Sequence, residues 1–245
     1  MIGLGYKISD PHLVSKAHLI VDDFNEPYLT EHEAHHLFVV KRLIEGDSVT
    51  LCDGRGTVVP CRVVCNPSDR TTRRNKRDKV LVLQTDGDRY YRDFSAPILE
   101  MVLSVIDPDR LDIAISKLTE LGVARITLVE AHRSRSVPQR LGEGRLGLAR
   151  LTKITREAAG QSRSLYLPEL SFGDYDAVMD RVIVCDIDGE DLVLPPSSVL
   201  IGPEGGFAPG EIPSTVTKWR LPGNVLRAET AALVAASLAM GMFQN

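Results

Sequence analysis

The stretch "VLIGPEGGFAPGE", from Val199 to Glu211, places a short apolar run directly before a cluster of glycines. Such a run is typical of a buried strand, and several glycines in one turn indicate a backbone that bends sharply or approaches a ligand closely. In a parallel α/β sheet, a glycine-rich turn at the carboxyl end of a strand is a natural ligand site. A tight strand-to-helix turn with nothing bound is the plainer alternative.

The glycine turn lacks the two best-known phosphate-binding patterns. No Gly-Lys-Ser/Thr follows, so it is not a P-loop, and it has no Gly-x-Gly-x-x-Gly dinucleotide fingerprint. A phosphate cradle is therefore disfavoured. Free backbone N–H and C=O groups in such a turn are suited to reading the edge of an adenine.

A second turn with the same character follows the first. Residues Leu221 to Leu226 lead into Arg227, Glu229 and Thr230 and then into a helix rich in alanine. Small residues allow a helix to pack close to a neighbouring backbone. We therefore expect the two turns to line one pocket from two sides.

The chain divides into two parts by its pattern. Up to about residue 85, β-branched runs at 48–53, 57–65 and 80–85 predict a small β-barrel. One helix is predicted in this part, from the capping box of Thr30 and Glu33 to about Leu43. Residues 86–97 read as a linker. Strands and helices then alternate, which predicts a parallel α/β domain.

Composition indicates a cytosolic globular protein. The 245 residues are 43% hydrophobic and 25% charged, with a net charge of −4. The start of the sequence has no signal-peptide pattern, and the uncharged run from Thr230 to Asn245 is too short to span a bilayer. We expect the four cysteines to be reduced and mostly buried rather than ligands of a structural metal.

The charge is distributed unevenly. Six cations lie in "DRTTRRNKRDK", which includes Arg73, Arg74 and Arg77, and three more lie in "HRSRSVPQR", which includes Arg133 and Arg135. Local positive potential of this kind suits RNA phosphates even in an acidic chain. A solvated loop is the plain alternative for either run.

The segment "HEAHH", His32 to His36, matches the zinc-protease pattern His-Glu-x-x-His. The sequence places no obvious third ligand for a metal, and Glu33 already belongs to a capping box. We therefore favour a protein without a metal site.

Six motifs together resemble one known family. "HHLFVVKRLIEGD", "KLTELGV", "RSRSV", "REAAGQS", "IGPEGGF" and "VLRAETAAL" occur in the order seen in RsmE-type 16S ribosomal RNA methyltransferases of the SPOUT superfamily, from about residue 30 to the C-terminus. The resemblance implies a PUA-like β-barrel for RNA binding in residues 1–88. It also implies a SPOUT-type α/β methyltransferase domain with a C-terminal trefoil knot in residues 97–245.

The resemblance also implies an activity and its residues: S-adenosylmethionine-dependent methylation of uridine N3 in 16S ribosomal RNA by a cytoplasmic homodimer. The cofactor-binding residues would be Ile201, Gly202, Pro203, Glu204, Gly205, Gly206, Leu221, Gly223, Val225, Leu226 and Thr230. The RNA-binding candidates are Arg42, Arg73, Arg74, Arg77, Arg133, Arg135 and Arg163. Arg227 is the candidate for steadying the uracil, and Glu229 is the candidate base.

Several features keep alternatives open. Glu229 stands at a helix start, where a carboxylate also serves as a cap, and Glu204 has the same ambiguity within its turn. Pro222 precedes Gly223 where the family usually has Leu-Gly. Arg163 directly follows Ser162, and Lys41 stands in place of a leucine. A non-catalytic RNA-binding protein on the same fold is the alternative function.

Overall fold

The structure is a computed structural model that describes residues 10–25, 37, 40–64, 82–94, 98–134 and 147–243. Its contacts divide the chain into two compact units, Met1–Ser95 with Ala159–Tyr166, and Ala96–Ala158 with Leu167–Asn245. The domain limits 1–88 and 97–245 remain a prediction. No sequence pattern indicated that Ala159–Tyr166 belongs to the first unit.

The first unit is built on a five-stranded sheet. Its elements are α1 (Pro11–Val14), β1 (Ala17–Ile20), β2 (Ser48–Cys52), β3 (Thr57–Val64), β4 (Val82–Thr85) and β5 (Tyr90–Tyr91). The strand order is β1-β2-β3-β4, and β5 also pairs with β3. The β1–β2 pair is parallel, and the other pairs are antiparallel. Alternate apolar residues of β2 and β3 face a core that includes Leu19, Leu37 and Leu51.

Two predictions for the first unit need correction. The segment taken as a linker is partly structured, because Tyr90 and Tyr91 pair with Val58 and Thr57. The predicted helix does not reach Leu43, since residues 41–44 are not helical and Arg42 has a positive φ of 49°. The predicted start of that helix lies outside the described residues.

The second unit has a six-stranded sheet in which every described pair is parallel, as the sequence predicted. Its elements are β6 (Glu100–Ser104), α2 (Pro108–Glu120), β7 (Arg125–Val129), α3 (Leu148–Ser162, which continues into the first unit), β8 (Glu169–Phe172), α4 (Tyr175–Met179), β9 (Ile183–Glu190), β10 (Ser198–Ile201), β11 (Lys218–Trp219) and α5 (Ala228–Met242). The strand order is β11-β9-β10-β6-β7-β8. β8, β11 and α4 were not predicted.

The alanine-rich face of α5 is buried, as expected. Ala232, Ala235, Ala236 and Ala239 have no exposed surface and share one core with apolar residues of α2 such as Leu111. Methyl side chains let the two helices lie close together, so α2 and α5 begin near the same part of the sheet. No helix among the described residues is long and apolar enough to cross a membrane.

Candidate active site

The carboxyl ends of three neighbouring strands direct their loops toward one edge of the second sheet. β10 ends at Ile201 and leads into the glycine turn, β6 ends at Ser104 and leads into α2, and β7 ends at Val129 shortly before Arg133. Loops at this edge of a parallel sheet are where ligands usually bind. The fold therefore brings together segments that lie far apart in the sequence.

An open cavity of about 890 Å³ lies among these loops, within the size range of small-molecule sites. We call residues 201–206 the first bend and residues 221–226 the second bend. The cavity is lined by Ile201, Gly202, Pro203, Glu204, Gly205 and Gly206 of the first bend, by Val225 and Leu226 of the second, and by Arg110, Arg133, Cys185, Asp186, Ile187, Asp188, Phe207, Ala208, Pro209, Gly210, Ile212, Lys218, Arg227, Ala228 and Ala231.

The first bend needs glycine for two separate reasons. A Cβ atom on Gly202 would lie 2.7 Å from the Phe207 ring, which is closer than non-bonded carbon atoms approach each other in proteins. Gly206 has a φ of 66°, a conformation that strains residues with a side chain. The bend therefore combines a close packing contact with a left-handed turn.

A buried carboxylate fixes the segment that follows the first bend. The side chain of Glu211 is 1% exposed, and it accepts hydrogen bonds from the backbone N–H groups of His132 at 2.6 Å and Ala208 at 2.5 Å. Next to His132, the guanidinium of Arg133 donates to the carbonyl oxygen of Gly205 at 3.2 Å. Glu211 thus joins the loop after β7 to the segment after the first bend.

The second bend contributes to the cavity only in part. Val225, Leu226 and Arg227 line it, whereas Leu221 lines a separate cavity of about 300 Å³ with Pro222. Two other predicted cofactor residues of the described chain, Gly223 and Thr230, line neither cavity. The two bends therefore line one cavity as expected, but the second bend contributes only Val225 and Leu226 to it.

The two predicted catalytic residues occupy different environments. Arg227 is exposed, has an extended backbone at the start of α5, and lines the cavity. Glu229 is only 14% exposed, does not line the cavity, and places Oε2 3.6 Å from Nη1 of Arg110. Arg227, the N-cap residue of α5, makes no side-chain capping hydrogen bond, whereas Glu229 lies in the first turn of α5, where the helix dipole favours a carboxylate, and also pairs with Arg110.

Arg110, in the first turn of α2, connects the two bends electrostatically. Its Nε lies 3.9 Å from Oε1 of Glu204 in the first bend, and its Nη1 faces Glu229 just after the second. Oε1 of Glu204 also accepts a 3.4 Å hydrogen bond from the backbone N–H of Asp107. One cation is thus shared by a carboxylate of the first bend and a carboxylate that follows the second.

The strand β9 forms a further wall of the cavity. Burial opposes ionisation of Asp186, but hydrogen bonds from the Asp188 N–H and from Lys218, at 2.9 Å, outweigh it and lower the pKa of Asp186. Burial raises the pKa of the adjacent Cys185 thiol to about 12. Asp186 is therefore a paired carboxylate at neutral pH, and Cys185 is an inert thiol.

The predicted RNA-binding residues fall in three places. Arg73, Arg74, Arg77 and Arg135 lie outside the described residues, as does the zinc-protease pattern at 32–36. Arg133 lies on the cavity, and Arg42 is exposed in the first unit. Among the described residues, no group of three or more His, Cys, Asp or Glu could hold a metal ion.

The side chain of Arg163 is held by backbone carbonyl groups of the first unit. Its guanidinium donates to the carbonyl oxygens of His12 and Ser15, both at 2.6 Å. Beside it, burial lowers the pKa of His18 to about 3, so this imidazole is neutral and bonds to Thr50 and to the Ser164 carbonyl. The prediction that Arg163 binds RNA therefore finds no support in its contacts.

Sequence reasoning missed several residues of the site: Arg110, Asp186, Asp188, Phe207, Glu211 and Lys218. Arg110 had a usable signal, because it opens a helix directly after a parallel strand, where ligand sites are common. The buried pairing of Glu211 had none, since its partner His132 is 79 positions away.

Comparison with known families supplies the remaining observation. A family model described as an RNA methyltransferase domain matches residues 95–240, which is more than half of the chain and includes the whole cavity. The chain belongs to this RNA methyltransferase family. A second model, an RNA methyltransferase PUA domain, matches residues 29–64 and confirms the predicted PUA-like first part.

Relatives and solved structures agree with the family. The chain is 28% identical over 235 residues to the ribosomal RNA small subunit methyltransferase E of Bacillus subtilis, covering 85% of this chain and 87% of that protein. A predicted RNA methyltransferase of Thermotoga maritima has 26% identity and a TM-score of 0.69, covering 93% of this chain and 99% of that chain. A Neisseria gonorrhoeae small subunit methyltransferase E bound to S-adenosyl methionine has 22% identity and the same TM-score, covering 91% of this chain and 95% of that chain. The last similarity shows the fold alone.

Proposed function

We propose that this RNA methyltransferase transfers the methyl group of S-adenosylmethionine to N3 of a uridine in small-subunit ribosomal RNA. The observation that carries the proposal is the cavity at the carboxyl edge of the second sheet, which both bends line and which Arg227 borders. The name of the Bacillus subtilis relative supports the RNA class. The Neisseria gonorrhoeae structure, which holds S-adenosyl methionine, supports the cofactor.

The residues of the cavity fit this cofactor. Ile201 and Leu226 provide apolar surface for an adenine, and the glycines of the first bend bring backbone to the cavity wall without side chains of their own. The volume of about 890 Å³ leaves room for a target base beside a nucleoside-sized cofactor. When bound, S-adenosylmethionine supplies an electrophilic methyl group.

The chain's own contribution is to orient the uracil and favour loss of its N3 proton. Arg227 is exposed at the cavity margin, where its guanidinium can donate to a uracil carbonyl oxygen and stabilise the imide anion. The burial of Glu229 and its pairing with Arg110 remove it from the role of base. In this proposal the N3 proton leaves to water at the open mouth of the cavity.

The remaining predictions are part of the same proposal. Arg133 at the cavity, exposed Arg42, and Arg73, Arg74, Arg77 and Arg135 would contact RNA phosphates, which fix position without reading sequence. We further propose a trefoil knot in the second domain, a homodimer as the working assembly, and the cytoplasm as the location.

The test uses the full-length chain with small-subunit RNA and subunits from cells that lack it. We expect calorimetry to show binding of S-adenosylmethionine, and mass spectrometry to find one N3-methyluridine that the protein adds. Arg227→Gln should keep cofactor binding and lose most turnover, while Arg125→Gln, an exposed arginine away from the cavity, should keep both. Absence of cofactor binding, or a methyl group on another atom, would overturn the proposal.

A further inference from the structure

We infer that Arg110 and Glu204 form a subsite for the α-amino acid end of the methyl donor, with Arg110 binding its carboxylate and Glu204 binding its ammonium group. The inference rests on the proposed function and goes further, because it assigns Arg110 to a task that the two bends themselves do not perform.

The first argument is the pairing of opposite charges on the cavity wall. Arg110 and Glu204 both line the cavity, and their side chains are 33% and 31% exposed. Nε of Arg110 lies 3.9 Å from Oε1 of Glu204. A zwitterion carries its ammonium and carboxylate on one carbon atom, so a cation and an anion this close together present complementary charges to it.

The second argument concerns the hydrogen-bonding capacity of Arg110. A guanidinium has five N–H donors in a planar fork that matches a carboxylate. The distances of 3.9 Å to Glu204 and 3.6 Å to Glu229 are ion-pair distances, longer than hydrogen bonds. Among the described residues, these two carboxylates therefore hold Arg110 in place without using its donors.

The third argument is that Glu229 neutralises the charge of Arg110 from outside the cavity lining. Its Oε2 atom is buried and accepts no hydrogen bond from the described chain. Because Glu229 lies outside the cavity lining, this part of the cavity wall presents Arg110 and Glu204, one positive and one negative group, rather than a net negative charge. The position of Arg110 in the first turn of α2, where the helix dipole is positive, further favours an anion.

The test compares three ligands that differ only at this end. S-Adenosylhomocysteine carries both charges, its decarboxylated analogue keeps the amine alone, and 5′-methylthioadenosine has neither. On the unmodified protein we expect calorimetry to rank them in that order, with about tenfold between neighbours, as expected for loss of a charge-assisted hydrogen bond.

Single variants test the charges of Arg110 and Glu204 separately. Arg110→Gln should weaken S-adenosylhomocysteine about tenfold and leave the decarboxylated analogue and 5′-methylthioadenosine unchanged. Glu204→Gln should weaken both amine-bearing ligands and spare 5′-methylthioadenosine. Arg125→Gln is the matched control, because it removes an exposed arginine away from the cavity, and it should change none of the three.

The outcomes distinguish this inference from the proposed function. If the unmodified protein binds all three ligands equally, or if Arg110→Gln weakens 5′-methylthioadenosine as much as S-adenosylhomocysteine, the subsite is wrong and the methyltransferase proposal stands. If the unmodified protein binds none of them, the proposed function itself is overturned. The ligand ranking on the unmodified protein decides the matter even if a variant fails to fold.

Discussion

The two bends look alike in sequence, yet their surroundings differ. The first is held on several sides: Gly202 lies against the Phe207 ring, Arg133 binds the Gly205 carbonyl, and the Asp107 N–H reaches Glu204. The second is open, since an added Cβ on Gly223 would meet nothing within 4 Å and Val225 is 83% exposed. Glycine content alone therefore does not indicate how firmly a loop is held.

This difference has a functional meaning. A site with one fixed wall and one lightly held wall loses little entropy on the fixed side when a ligand binds, while the other side can adjust to it. We expect the first bend to determine cofactor affinity through its packing and the second to tolerate change. The effects of substitutions in and beside the two bends should therefore differ in size, and changes at Glu211, Gly202, Glu229 and Gly223 test the comparison.

The largest effect should come from Glu211→Ala, which removes the buried carboxylate behind the first bend. Two backbone N–H groups, those of His132 and Ala208, would lose their acceptor. We expect a loss of about 3 kcal/mol in the free energy of unfolding, measured by denaturant titration, and weaker cofactor binding. Glu211→Gln keeps one acceptor oxygen and should lose about half as much. Equal stability of all three proteins would contradict the proposed anchoring.

The next effect should come from Gly202→Ala. The new methyl group would overlap the Phe207 ring, which lies partly buried against a core cluster, so we expect a loss of about 2 kcal/mol in stability and a weaker affinity for S-adenosylmethionine.

Gly205→Ala is the matched control within the same bend. Its Cβ would lie at an ordinary 3.6 Å from Cβ of Arg133, and surface changes of this kind usually stay within about 0.5 kcal/mol. If the two alanine variants behaved alike, the close contact at Gly202 would not be what fixes the bend.

A third, smaller effect concerns the connection between the bends. Glu229→Gln would remove the buried counter-charge of Arg110 and should weaken cofactor binding about fivefold, as for a partly exposed ion pair. Because we assign Glu229 no proton transfer, the pH dependence of turnover should keep the unmodified shape. Loss of the acidic limb of that profile would instead restore Glu229 as the base.

The sequence predicted what depends on local pattern. The first bend, the parallel strands and the alanine face of α5 all follow from glycine content and periodicity within short windows. The contacts of Arg163 within the first unit could not be predicted, because the carbonyl of His12 that it binds is 151 positions away. The pairing of Glu211 with the His132 N–H was missed for the same reason, since the two lie 79 positions apart. A turn pattern also does not indicate which cavity a residue lines, so the sequence could not show that Leu221 lines a different cavity from Leu226.

The smallest effect should come from Gly223→Ala in the second bend. Gly223 has a φ of 101°, so alanine would be strained, but the surrounding space is open. We expect a loss of about 1 kcal/mol in stability, from backbone conformation alone. Gly223→Asn should lose less, because asparagine tolerates positive φ better than alanine does, and cofactor affinity should change less than twofold in both variants. The space around Gly223 is open, so a steric clash could not explain a large loss of cofactor affinity. A loss as large as that of Gly202→Ala would therefore mean that cofactor binding depends on the second bend as much as on the first.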